Sequence, residues 1–165
     1  MKYISILIFF MTGIFFVSCE NGQQEVFSID RCVGEYTCNI DGQTFMVLPG
    51  GWTGPPPDVP ISNYPKNGNL ITVTKTGESE LTLTLTDRVM VAQVDETGSL
   101  TIPDATIYMK NENVTMTLTA EYPAAYITRD MLYLKQVATG EASCDNKGNK
   151  FTLTVTNTQF FRGEK

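Results

Sequence analysis

The residues equipped for chemistry are few in this chain of 165, and histidine is missing altogether. Serine and cysteine nucleophiles usually depend on a neighbouring base, and histidine is the commonest one. Histidine-containing zinc sites are excluded on the same ground. Carboxylates remain, and Asp87, Asp95 and Asp104 are the ones a fold would have to bring together. Nothing in their spacing separates them from ordinary solvated acids. "DNKGN" (Asp145–Asn149) is oxygen-rich like a calcium loop. The EF-hand pattern, however, needs a later glutamate and flanking helices. Strand-like sequence lies on both sides here, so a hairpin turn is the better reading. No glycine-rich phosphate loop precedes a helix. The sequence therefore predicts a protein that is not an enzyme and needs no cofactor or metal.

Binding chemistry is better represented. "GGWTGPPPDVPISNYP" (Gly50–Pro65) holds the single tryptophan and much of the proline of the chain. Consecutive prolines at 55, 56 and 57 force extended polyproline geometry. With its flanks, the stretch 49–68 is a connection of the length that is usually functional or disordered. Two readings stand. Trp52 and Tyr64 stack on a sugar ring or cover an apolar ligand. Or Trp52 folds back as a plug, and the prolines only reduce the entropy lost on ordering the connection.

The N-terminus addresses location. "MKYISILIFFMTGIFFVSCE" carries one positive charge, Lys2, before an apolar run from Ile4 to Val17. That run is shorter than the roughly 20 residues a spanning helix needs. It has the form of a secretory signal. "FVSC" (Phe16–Cys19) resembles the lipobox of bacterial lipoproteins. The resemblance implies a signal peptide over 1–18 and acyl chains on Cys19 as the membrane anchor. A polar, flexible tether follows over 19–31. By resemblance to the bacterial sorting rule, the absence of aspartate after Cys19 implies the outer membrane. Removing residues 1–18 takes Lys2 and leaves 11 basic against 18 acidic residues, a net charge of −7. An acidic chain is a poor partner for nucleic acid or anionic lipid.

The elements that must hold any site are strands. "ELTLTLT" (Glu80–Thr86) sets Leu81, Leu83 and Leu85 against three threonines. "NVTMTLTA" repeats the alternation with Val114, Met116 and Leu118, and "KFTLTVTN" with Phe151, Leu153 and Val155. "LITVTKT" (Leu70–Thr76) is a weaker version. Period two means one buried and one wet face, and threonine suits the wet face. Asp41-Gly42 is a strong hairpin signal. "KTGESE", "VDETGS", "MKNENV" and "CDNKGNK" mark further reversals. "PAAYITRDML" (Pro123–Leu132) is the best helix candidate, at one or two turns. The pattern predicts an all-β domain over 32–165, an antiparallel up-and-down β-barrel of about eight strands, with a β-sandwich as the alternative.

"VGEYTCNIDGQTF", "ITVTKTGESELTLTLT", "GSLTIPDATI", "VTMTLTA" and "CDNKGNKFTLTVTN" together resemble the calycin-like, or lipocalin-like, domains of small bacterial lipoproteins. The resemblance covers roughly Cys32 to Arg162. It implies a barrel that holds a small apolar or amphipathic ligand; Trp52 and Tyr64 of the loop and Tyr36 of the first strand are the candidate contacts. It matches Gly34 and Tyr36 to the Gly-x-Trp of the first strand, with tyrosine in place of tryptophan. It matches Arg162 to the basic residue after the last strand. Arg162 is then expected within about 6 Å of the Tyr36 ring centroid, sealing one end, with Gly34 leaving room beneath the ring.

Cys32, Cys38 and Cys144 remain after lipidation, in an oxidising compartment. Cys32 and Cys38 are too far apart if they share one strand. First-to-last strand pairing in a barrel would bring Cys38 near Cys144, and a Cys38–Cys144 disulfide is the favoured pairing. Three free thiols is the competing reading. The function expected is a lipid-anchored envelope binding protein. The alternatives are a glycan- or protein-binding module using the loop 49–68, or a pilin-like structural sandwich.

Overall fold

A computed structural model describes residues 26–52, 54–61, 64–146 and 149–165. The signal segment 1–18, Cys19 and the tether to residue 25 lie outside the described residues. Nine strands follow a single turn of helix, α1 (Ile29–Cys32). They are β1 (Gly34–Val47), β2 (Lys66–Lys75), β3 (Glu80–Thr84), β4 (Val89–Val94), β5 (Leu100–Thr101), β6 (Ala105–Lys110), β7 (Val114–Ile127), β8 (Met131–Asn146) and β9 (Asn149–Glu164).

All nine belong to one antiparallel sheet in the order β5-β4-β3-β2-β1-β9-β8-β7-β6. First and last strands pair over a long register, from Thr37↔Glu164 to Val47↔Thr154. One sheet with that pairing is the barrel arrangement, not two stacked sheets. The curl is incomplete, however. The break falls between β5 and β6; among the described residues a bridge from Ser99, just before β5, to Tyr126 of β7 draws the two edges together, backed by Ile127 N–H donating to the Gly98 carbonyl at 2.8 Å. The result is a half-barrel, drawn together at one end and slotted at the other.

The leucine–threonine alternation sets the inner face as expected. Leu81, Leu83, Val114, Met116, Leu118, Leu153 and Val155 are buried, and Leu85 and Phe151 are half-buried. Thr84, Thr86, Thr117, Thr119, Thr152 and Thr154 are exposed. The buried residues form two clusters. One fills the drawn-together end, around Tyr36, Ile71, Leu83, Ile127 and Phe161. The other lies under the slotted end, around Met116, Leu118 and Val155, and is covered by Val59 and Ile61 of the β1–β2 connection.

Three expectations are overturned. Asp41-Gly42 is no hairpin: β1 runs straight through it, with Asp41 opposite Phe160 and Gly42 opposite Gln159. The tight turn needs positive φ at its central residues, and Gly42 does not adopt it. Its glycine serves close approach instead. A Cβ there would lie 2.8 Å from the Tyr64 ring and 2.9 Å from the Thr158 carbonyl. "PAAYITRDML" is the end of β7, a tight turn and the start of β8. The last residues of the tether are docked: Phe27 and Ile29 pack on the first cluster, and Cys32 is buried. The few apolar residues of that polar run are the ones that find the core. The remaining turn signals fall between strands where expected.

Candidate functional site

The inward positions of the long strands are apolar at both ends and polar in the middle. Along β9 the inward row reads Leu153, Val155, Asn157, Gln159, Phe161, all buried. Along β8 it reads Leu132, Leu134, Gln136, Ala138. Gln136 and Gln159 face each other across the β8–β9 ladder. On β7 the register slips between Glu121 and Ala124. This bulge holds Tyr122 and Pro123, an ordinary place for a strand proline. The polar belt separates the two apolar clusters.

Above the belt opens a cleft of about 800 Å³, within the size range of small-molecule sites. One wall is β6. The opposite wall is the β3–β4 turn with Val89 and Met90, and Tyr64 and Ile61 of the long connection lean over it. Leu70, Leu85, Ile107 and Met109 supply apolar surface, and Phe161 and Gln159 lie in the floor.

The polar groups are only partly partnered. Gln159 Nε2 donates to Asn157 Oδ1 at 2.7 Å, and Asn157 Nδ2 donates to Thr44 Oγ1 at 2.9 Å. Arg88 Nη1 donates to Gln136 Oε1 at 2.7 Å, and its guanidinium lies 5.7 Å over the Phe161 ring. Four buried side-chain atoms have no hydrogen-bond partner among the described residues: Asn69 Nδ2, Arg88 Nε, Tyr122 Oη and Gln136 Nε2. All four belong to residues that line this cleft. The nearest carboxylate, Asp87, stands 3.9 Å from Arg88 Nε, beyond hydrogen-bond range. A buried group left without any partner costs about 1–3 kcal/mol, so these four atoms call for water or a ligand in the cleft. Burial raises the Tyr122 phenol above its ordinary pKa; the Arg88 charge opposes this and Asp87 adds to it. Burial also raises Tyr64, against a hydrogen bond with Asn157.

No family model, curated protein or solved structure matches this chain.

Of the expected ligand contacts, Tyr64 lines the cleft, its ring resting on Gly42. Trp52 does not. Its ring lies against Phe151, with centroids 4.4 Å apart at 55°, and its Nε1 donates to the Gly54 carbonyl at 2.6 Å. The connection behaves as a cover over the second cluster, tied down where Asn111 Nδ2 donates to the Asp58 carbonyl. A separate groove of about 580 Å³ runs beside Trp52, Pro55–Pro57 and Glu112. Tyr36 is in the core with no exposed surface. Its hydroxyl donates to the carbonyls of Cys32 at 2.8 Å and Thr128 at 2.9 Å, so no ligand reaches it.

The expected Arg162–Tyr36 contact is absent. Arg162 is an outward residue of β9, paired with Asp41 at 2.7 Å and 5.8 Å from the Phe160 ring. Tyr36 points inward, so the two occupy opposite faces of the sheet. Lys165 takes the place assigned to Arg162: its ammonium lies 5.5 Å over the Tyr36 ring and donates to the Arg31 carbonyl at 2.8 Å. Gly34, at φ +143°, makes the room, since a Cβ there would come within 2.6 Å of Lys165 Cε. The Cys38–Cys144 disulfide is also overturned. Cys38 pairs with Gly163 and Cys144 with Phe151, twelve positions apart along β9. That is roughly 40 Å of strand. Cys32, Cys38 and Cys144 are free and buried. The pairing rested on β1 ending near Cys38, whereas β1 continues to Val47.

Asn69, Arg88, Tyr122 and Gln136 are the site residues sequence reasoning missed. The signal was present in β8 and β9: an amide at an inward position of an alternating strand. Arg88 and Asn69 carry no such mark.

Proposed function

We propose that this is a calycin-like binding protein of the bacterial cell envelope, held to the outer membrane by acyl chains on Cys19. In this reading its half-barrel takes up a small amphipathic ligand in the slot between β4 and β6. The observation that carries the reading is the cleft itself: apolar walls over a floor of buried polar atoms without partners. Pockets of this kind, mostly apolar with a few convergent polar groups, are where small molecules bind. The calycin-like reading draws support from first-to-last strand pairing; the Arg162–Tyr36 contact expected of it is absent. No catalytic step is proposed. The glycan alternative has less to stand on, because Phe151 packs against the tryptophan a sugar would need.

Native mass spectrometry of the protein purified from its own cells tests the reading. A bound mass of a few hundred daltons, lost in a variant with the cleft filled by Ala105→Trp, supports it. Protein free of any such mass after gentle extraction, and unmoved in thermal stability by a panel of amphiphiles, refutes it.

A further inference from the structure

We infer that the cleft reads an anionic, oxygen-rich head group, so that its ligand is an amphiphile with a carboxylate or phosphate end. The inference rests on the binding role proposed above and adds the chemistry of the ligand.

Three of the four partnerless atoms, Asn69 Nδ2, Arg88 Nε and Gln136 Nε2, only donate hydrogen bonds. The fourth, Tyr122 Oη, donates as well as accepts. Gln136 is 1% exposed, and its acceptor oxygen is already taken by Arg88 Nη1 at 2.7 Å. The unmet demand is thus for acceptors. A guanidinium among them favours a negative acceptor, since charge-assisted hydrogen bonds are roughly twice as strong as neutral ones. The charged residues that line the cleft are Lys66, Arg88 and Asp87. Asp87 is largely exposed, with a side-chain relative accessibility of 78% against 23% for Arg88. The cation therefore faces the enclosed space and the carboxylate faces water. This local balance runs against the net negative charge of the whole chain. Leu70, Ile107 and Met109 then provide the surface along which an alkyl tail lies.

The head-group chemistry fits a fatty carboxylate and an alkyl phosphate alike, and the probes separate them. Residues 19–165 carrying Cys19→Ser, prepared without detergent, are titrated by calorimetry with decanoate, decyl phosphate, decanol and decyltrimethylammonium, each below its micelle concentration. Decanoate or decyl phosphate is expected to bind at one per chain, at least ~10-fold tighter than decanol, the scale of one charge-assisted hydrogen bond. The tighter of the two names the source. Arg88→Met is expected to remove that preference, bringing decanoate and decyl phosphate to within about 2-fold of decanol measured on the same variant. Gln136→Met, closer in shape, is expected to weaken the anions in the same direction if Arg88→Met fails to fold. Equal binding of decanol and both anions overturns the head-group inference and leaves the cleft reading standing. Binding of none of the four overturns the cleft reading itself. Preference for decyltrimethylammonium reverses the sign assigned to the site and refutes the inference.

Discussion

Replacing Tyr36 with phenylalanine removes one oxygen from the drawn-together end of the half-barrel and nothing else. The ring stays, so its packing against the first cluster and the Lys165 ammonium at 5.5 Å are both kept. What goes is the hydroxyl proton shared between the Cys32 carbonyl at 2.8 Å and the Thr128 carbonyl at 2.9 Å. Those carbonyls belong to α1 and to the β7–β8 turn, segments far apart in the chain that Tyr36 of β1 holds together. A neutral hydrogen bond contributes about 0.5–1.5 kcal/mol net, and a buried acceptor left bare adds up to a further 1–3. Carbonyls tolerate partial satisfaction better than N–H groups, so the expected loss is about 1–3 kcal/mol. For a domain of this size that lowers Tm by roughly 3–10 °C. Thermal unfolding by circular dichroism measures it, and hydrogen exchange at residues 128–132 locates it. Arg162→Ala is the control. Its pair with Asp41 is solvent-exposed, with side-chain accessibilities of 60% and 53%, and such pairs contribute about 0–1 kcal/mol. A Tyr36→Phe protein as stable as the parent, or an Arg162→Ala protein the less stable of the two, would refute this account of the closed end.

The three cysteines 32, 38 and 144 are expected to resist a water-soluble thiol reagent in the native protein at pH 8 and to react fully on denaturation without reductant. A Cys38–Cys144 bridge would instead leave one reactive thiol. Burial pushes the Cys38 thiol from 9.0 up to about 11. Its neutral form is thus favoured in the folded state, so this contribution is fully present below pH 9 and is lost as pH rises from 9 through 11. Denaturant titrations at pH 8 and pH 11 should show that loss, and Cys38→Ala should reduce it. Gly42→Ala should cost about 1–3 kcal/mol, because the new methyl meets the Tyr64 ring and the Thr158 carbonyl. It should also move Tyr64 from the cleft and weaken ligand binding. Gly50→Ala, with nothing within 4 Å of the new atom, should do neither.

The faces of the sheet were readable because period two leaves little freedom. Once Leu81, Leu83 and their counterparts in β7 and β9 are assigned inward, every neighbour on those strands follows. Strand ends were harder to read. Asp41-Gly42 has the composition of a turn, but the ladder to β9 and the Tyr64 ring over Gly42 decide its conformation, and both are long-range. One later error descends from that one. A β1 that stops near Gly42 places Cys38 beside Cys144, whereas the continuous strand sets them twelve positions apart along β9. The Arg162 error is smaller and of another kind. The alternation that buries Phe161 turns Arg162 outward, and Lys165, which the sequence did not single out, lies over Tyr36 instead. As for the site, Gln136 in "LYLKQVA" and Asn157 and Gln159 in "VTNTQFF" stand at inward positions of alternating strands. That pattern is visible without coordinates. Their convergence with Arg88 depends on how far the sheet curls, which no local pattern encodes.

The position of the opening follows from the chain between β5 and β6. β5 is only two residues long, and its ladder to β4 covers Gln93 and Val94 alone. Ile102 then turns back into the core and Pro103, without an N–H, cannot extend a ladder. The chain re-enters the sheet at the far edge, as β6 on β7. The upper part of β4 and the outer side of β6 therefore face each other across a gap instead of pairing. Unpaired edges are usually a liability, and here both flank the cleft above the polar belt. Closing the gap would seal Arg88 and the amides away from water, and a buried, partly paired guanidinium costs several kcal/mol. With the slot open, the Arg88 side chain keeps 23% of its exposure, and the desolvation cost falls accordingly. An anionic ligand entering the slot would supply the acceptors that water must otherwise provide. The same break that leaves the barrel unfinished thus keeps its polar interior within reach of water, and would keep it within reach of the ligand proposed above.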